Sequence, residues 1–230
     1  MDLNHVIQHV RDTSKHFGRR AALYELEYRA VNRLVPFRIL NGMTVELADI
    51  DPKLFESNGF ECHFASDAEL EAALADPEIT EEMSPEFVRV ARAHGDECFG
   101  VFDAKRLVSF GWYSKRPTPI EKDLLLHFDP AWVYMYKGYT LRGYRGKRLH
   151  GIGMSLAARA YTQRGSRGLI SYVESDNYPS LHSTAKMGYR TFGELFAARA
   201  FGRVLTWATP GCKPYGFSLE WVPERVHAQI

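Results

Sequence analysis

Cysteine is scarce and scattered in this chain. Cys62, Cys98 and Cys212 are odd in number, far apart and outside any CxxC or Cys/His metal spacing, which points to reduced, structural thiols rather than a disulfide framework or a zinc site. Net charge is also nearly absent, with 29 Lys and Arg against 28 Asp and Glu. That balance gives no global field to draw the protein onto nucleic acid or anionic lipid. Long hydrophobic runs are missing too. The N-terminal MDLNHVIQHVRDTSKHFGRR breaks its apolar stretch with His, Gln and charges, so it reads as neither signal peptide nor membrane span, and a cytoplasmic protein is expected. His5 and His9 stand four residues apart on a predicted helix, but no third ligand accompanies them, and a solvated helical face is the expectation, with no metal.

What is present is the composition of a globular protein: 230 residues, 45% hydrophobic and 25% charged, enough for a catalytic domain with an extension. In GRRAALYELEYRAVNRLV, Leu23, Leu26, Ala30, Val31 and Leu34 fall along one helical stripe, and Pro36 stops the helix. FRILNGMTVELADI reads as a hairpin turning at Asn41-Gly42. Residues 1–57 are thus expected to form a helix and hairpin extension, ahead of a main domain at 58–230. An extension of this kind either shapes a pocket or offers a homodimer interface.

Further along, Ser66 and Ser84 are natural caps for helices over 67–74 and 85–94, the second with Pro85 in its first turn. ECFGVFDAKRLVSFGWYS reads as a hairpin turning over 103–106, and WVYMYKGYTL as a buried strand.

That strand runs into RGYRGKRLHGIG, after which Ile152, Leu156, Ala157, Ala160 and Tyr161 recur at helical spacing. A cationic, glycine-rich turn therefore opens a helix. The first N–H groups of a helix lack internal acceptors and sit at the positive end of its dipole, which suits an anion. Gly146, Gly151 and Gly153 would let a pyrophosphate approach the main chain. The nucleotide patterns fail: Gly146-Lys147 lacks the Ser or Thr of a P-loop, and Leu156 stands where a dinucleotide fingerprint needs its third Gly.

At these residues the chain resembles the GNAT acetyltransferase superfamily. Tyr144 to Lys147 is similar to the run that precedes that family's coenzyme A motif, R/Q-x-x-G-x-G/A. GLISYVESDN resembles its next strand, and NYPSLHSTAKMGY its Asn-containing helix. The motif fits from Arg145, with Arg148 and His150 in place of its two small residues. It also fits as Arg148-x-x-Gly151-x-Gly153, at the expense of helix length; the first register is preferred here.

The resemblance implies an α/β fold, a mixed and largely antiparallel sheet flanked by helices. It implies transfer of an acyl group, acetyl in the first instance, from coenzyme A to a primary amine on a small molecule or peptide. The expected coenzyme contacts are Thr140, Leu141, Arg145, Gly146, Lys147, Arg148, Leu149, His150, Gly151, Ile152, Gly153 and Asn177. A main-chain N–H over Tyr139 to Leu141 would face the developing oxyanion. Glu174 is the first choice of base, with His150 and His182 behind it. The family's Tyr, seven residues after the Asn, is replaced by Thr184, leaving Tyr178 and Tyr189 as substitutes. That replacement keeps open a noncatalytic acyl-CoA-binding regulator, beside an N-acyltransferase for longer chains.

Overall fold

The computed structural model describes residues 13–223. The chain runs α1 (Arg19–Leu34), β1 (Phe37–Glu46), β2 (Glu61–Phe64), α2 (Asp67–Ala73), α3 (Pro77–Glu82), α4 (Pro85–His94), β3 (Glu97–Asp103) and β4 (Arg106–Ser114). It continues with β5 (Thr118–Glu121), β6 (Leu124–His127), β7 (Trp132–Thr140), α5 (Leu149–Gln163), β8 (Gly168–Glu174), α6 (Tyr178–Lys186), β9 (Arg190–Ala200), β10 (Arg203–Ala208) and β11 (Ser218–Trp221). Eight strands form one sheet in the order β10-β9-β1-β8-β7-β4-β3-β2, and a second sheet has the order β11-β6-β5. Every neighbouring pair is antiparallel except β7 and β8. This is the mixed, largely antiparallel α/β architecture expected. No helix among the described residues is long and apolar enough to cross a membrane. His5 and His9 lie outside the described residues.

The central strands are covered on both faces, so their side chains alternate between two cores. Val133 and Met135 of β7 join Leu169 and Val173 of β8 beneath α5, whose Ile152, Ala157 and Tyr161 are buried there. Trp132, Tyr134 and Ile170 point the other way and pack with Leu124, Leu126 and Phe217 of the small-sheet side. Each fully buried large side chain contributes about 1.5–3 kcal/mol of transfer free energy, which fixes the strand register.

Local signals hold at the helix starts. Ser66 and Glu69 close a reciprocal capping box on α2, and Ser84 accepts from Phe87 N on α4. The β3–β4 turn forms where expected, with Ala104 at φ 46° and Lys105 at φ 71°, the two positive dihedrals that a tight twisted hairpin needs. Helix α3 was not foreseen. Its start is marked by Asp76, which accepts from Glu78 N, followed by Pro77.

Three expectations need correction. Asn41-Gly42 is no turn: β1 is a single strand of 10 residues between β8 and β9. Gly42 is small because a Cβ there would stand 2.8 Å from carbons of the Phe192 and Phe217 rings. The expected boundary after residue 57 therefore does not detach an appendage, since β1 lies inside the main sheet. The apolar stripe of α1 is also not its packed face, for Leu23, Leu26, Val31 and Leu34 are exposed while Ala21, Ala22 and Glu25 are buried. Tyr24 donates to Ser175 Oγ at 2.7 Å and Tyr28 to Phe37 O at 3.0 Å, so the helix docks through polar-tipped rings four residues apart.

Gly42→Ala should overpack this crossing and cost about 1–3 kcal/mol. Urea denaturation measures it; an unchanged midpoint would contradict the close approach of Phe192.

Candidate functional site

Strands β7 and β8 are parallel for only three rungs, from Trp132↔Gly168 to Tyr134↔Ile170. Beyond these they part. β7 keeps its outer partner β4 as far as Thr140, and β8 keeps β1 as far as Glu174, so only the inner edges open. The β4–β7 register shifts at Gly111/Trp112, leaving Lys137 as an extra residue that bends β7 away. Ser171 Oγ donates to Met135 O at 2.8 Å across the start of the gap, a side chain doing what the ladder no longer does. Above it opens a cleft of about 380 Å³, lined by Tyr134 to Gly138, Ser171 to Glu174, His150, Asn177, Ser180 and Thr184.

Leu141 N donates to Val108 O at 3.0 Å, and the register sets Tyr139 opposite Phe110. Strand alternation then turns the main chain of Thr140 to the open side, so of the span 139–141 Thr140 alone faces it. Tyr139 is not a cleft residue: its hydroxyl donates to Glu78 Oε1 at 3.0 Å, on α3.

From β7 the chain passes through a short turn at Arg142–Tyr144 into α5. Arg148, at φ 62°, is the N-cap; it makes no side-chain cap bond, and no acid lies in the first turn. By contrast α2, α3, α4 and α6 are all capped by Ser, Asp or Asn side chains. The first internal bond runs from Ile152 N to Arg148 O, so the N–H groups of Leu149, His150 and Gly151 lack helical acceptors. Because α5 already begins at Leu149, the motif read from Arg148 shortens nothing, contrary to expectation.

The glycines divide. Gly146, at φ 83°, stands in open space and suits close approach of a ligand. A Cβ at Gly151 would meet Leu54 at 3.3 Å, and one at Gly153 would meet Val101 at 3.0 Å. Those two seat the helix against its neighbours, and Gly151 also lines a hollow at the helix start. Leu149 and Ile152 are likewise buried, leaving only their main chain to a ligand.

Cations gather around this helix start. The Arg145 guanidinium lies 5.5 Å from the Tyr139 ring, and Lys147 Nζ lies 4.7 Å from that of Tyr144. Arg148 and Lys186 line a second hollow of about 440 Å³ with Asp51, Leu54, His150, Gly151, Ser183 and Met187. His150 lines both hollows and joins them. Its ring fills the space over Gly138, where a Cβ would stand 2.5 Å from His150 Cε1. Burial pushes its pKa down, which keeps the ring neutral at neutral pH.

The remaining expected residues fall in varied places. Glu174 lines the cleft with its carboxylate paired to Arg38, which also pairs with Glu121. Asn177 lines it while its Oδ1 accepts from Ser180 N at 3.2 Å, cap and wall at once. The Thr184 hydroxyl turns back onto its own helix, donating to Ser180 O at 2.9 Å. His182 is exposed and sits edge-on to Phe17, not in the cleft. Tyr178 stacks on Phe17 at 5.7 Å and the Tyr189 hydroxyl is buried, and neither residue lines the cleft. Tyr134 and Tyr136 line the cleft as the expected aromatic wall, whereas Gly138 and Ser171, and Lys186 beside the helix start, were not foreseen. The glycine inside the WVYMYKGYTL strand was the available signal, for such a glycine marks a bulge or a close approach.

No family model matches the sequence, and no curated protein matches it. Solved structures do resemble the fold. One, from Novosphingobium aromaticivorans and named as an acetyltransferase from the GNAT family, aligns with a TM-score of 0.50 at 16% identity, over 70% of this chain and 63% of that one. The match thus spans less than two thirds of that protein's length. Another, a conserved protein of unknown function from Staphylococcus epidermidis, aligns with a TM-score of 0.51 at 9% identity, over 84% and 79% of the two chains. The fold is the GNAT fold, with its mostly antiparallel sheet flanked by helices.

A histidine held neutral by burial resists protonation in the folded state. Its contribution to stability is present above the unfolded pKa of about 6.5 and is lost as pH falls through the lower folded value. Thermal melts from pH 8 to pH 5 should therefore fall less steeply for His150→Gln than for the wild type; parallel curves would refute the buried neutral ring.

Proposed function

We propose that the chain is an acyl-CoA-dependent N-acyltransferase that moves an acyl group, acetyl in the first instance, to a primary amine. The observation that carries the reading is the parting of β7 and β8 beside the uncapped, acid-free start of α5. An extended thiol arm with a pyrophosphate at its far end fits such a pair of features. Main-chain groups along the open strand edge match the arm's amides, and the helix N–H groups with Arg145, Lys147, Arg148 and Lys186 match the phosphates.

In this reading the acyl carbonyl lies deeper in the gap than Thr140, whose carbonyl contacts Arg145 at the phosphate end, and the main chain of Gly138 faces it. The amine, having lost a proton, attacks the carbonyl carbon; the carbon–sulfur bond breaks and coenzyme A leaves as a thiolate. A Cys-like thiol, with a pKa of about 8.5, is a tolerable leaving group without a dedicated acid. Neutral His150 and the free oxygen of Glu174 are the groups at the gap able to take the amine's proton, directly or through water. Positioning between two fixed strand edges supplies much of the rate.

The Thr184 hydroxyl, spent on Ser180 O, favours a second reading, an acyl-CoA-binding protein without turnover. Free-thiol release from acyl-CoAs of graded chain length, over an amine panel, separates the two. Thiol release that depends on amine supports the enzyme, and tight coenzyme binding with none supports the sensor.

Arg148→Ala and Lys186→Ala should each weaken coenzyme A binding about tenfold, the worth of a charge-assisted hydrogen bond. Calorimetry measures this, and unchanged affinity in both would place the phosphates elsewhere. Thr184→Ala should leave kcat within about threefold of wild type, far from the 10²- to 10⁴-fold of a general acid. A hundredfold fall with coenzyme affinity intact would make that hydroxyl the acid after all.

A further inference from the structure

Behind the cleft wall lies a buried carboxylate that no step above uses. Asp96 is 4% exposed, and both of its oxygens are engaged. Oδ2 accepts from the Tyr136 hydroxyl at 2.6 Å, and Oδ1 lies 2.8 Å from His94 Nδ1. On the far side of that ring, His94 Nε2 lies 3.1 Å from Pro117 O. A carbonyl can only accept, so Nε2 carries the hydrogen in that contact. The line of contacts thus runs from a half-buried imidazole through a buried carboxylate to a phenol on the cleft wall.

Tyr136 sits at the place where β7 bends, next to the extra residue Lys137. Its ring stacks on Tyr134 at 5.6 Å and 15°, and Tyr134 in turn stacks on Tyr172 of β8 at 6.3 Å and 19°. Tyr134 and Tyr172 lie on the face opposite α5, and Tyr136, packed against both cores, ends the row at the bend. A tyrosine hydroxyl has one proton. With that proton committed to Asp96, the Tyr136 oxygen keeps only acceptor capacity and is made electron-rich by the carboxylate it donates to.

We infer that Tyr136 is the residue that recognises the acceptor amine: its phenolic oxygen takes one N–H of the incoming nucleophile, with Asp96 and His94 as positioning residues behind it. The inference rests on the acyltransferase reading. It also gives the site a chemical preference. A neutral primary amine attacks with its lone pair and keeps both N–H groups, so one remains to be held. A tertiary amine has none, and an alcohol must surrender its single O–H to a base as it attacks. Primary amines are therefore the class selected, ahead of alcohols of the same shape.

Tyr136→Phe keeps the stacked ring and removes only the oxygen. With a working primary amine it should raise the amine KM at least tenfold while the coenzyme A dissociation constant stays as in wild type. Asp96→Ala, which frees the hydroxyl to turn, should do the same. Asp96→Asn should return to within threefold of wild type. There the amide keeps an oxygen to accept from the Tyr136 hydroxyl while its NH₂ faces His94, so the hydroxyl stays held. An unchanged amine KM in Tyr136→Phe overturns this role while leaving the acyltransferase reading standing, and so does an Asn variant no better than the Ala variant. A wild-type protein that binds coenzyme A yet releases no thiol with any amine overturns both.

Discussion

Everything at the candidate site depends on a pairing that stops early. β7 and β8 share three rungs and then separate, yet each remains clamped by an outer neighbour, β4 on one side and β1 on the other. Buried backbone groups without partners cost about 1–3 kcal/mol each, so the inner edges must be solvated, bridged or filled by a ligand. Ser171 bridges one of them. The rest form an open strand edge. Because β7 leads directly into α5 and α5 returns the chain to β8, this crossover sets the helix start beside the same opening. Gap and anion-seeking helix end thus share one cause.

Local chemistry made part of this legible in the sequence. Capping residues, the β3–β4 turn and the glycine-rich entry to α5 announce themselves within a few positions, since each is satisfied by neighbours in the chain. Errors arose where a residue answers to a distant one. Gly42 looks like a turn residue beside Asn41, but it yields to the rings of Phe192 and Phe217. Gly151 and Gly153 stand in a ligand-like pattern, and each also answers to a distant side chain, Leu54 or Val101, that the pattern does not report. In α1 the periodic apolar stripe faces outward because Tyr24 and Tyr28 find hydrogen-bond partners just past β8 and on β1 that no periodicity reports.

Charge follows the same division between local and global. A net charge of +1 describes the whole chain and excludes little about any one surface. At the start of α5, Arg145, Lys147 and Arg148 come from one short segment, and Lys186 arrives from α6 to line the adjoining hollow. Only the first group could be read as a cluster from sequence, because the fourth member depends on how α6 returns beneath the helix start.

The surroundings of Glu174 are assembled almost wholly from distant segments, which is why that residue was legible and they were not. Arg38 of β1 pairs with Glu174 and with Glu121 of β5, and Arg199 of β9 pairs with Glu121 and with Asp123 at 2.6 Å. The chain of contacts therefore ties the head of the gap to the small sheet. Three carboxylates and two guanidinium groups thus form one network, with Lys122 lining the hollow beside Arg199. Its members come from β8, β1, β5, β9 and the turn after β5, so Glu174 is held in place by residues that only the folded sheet brings to it.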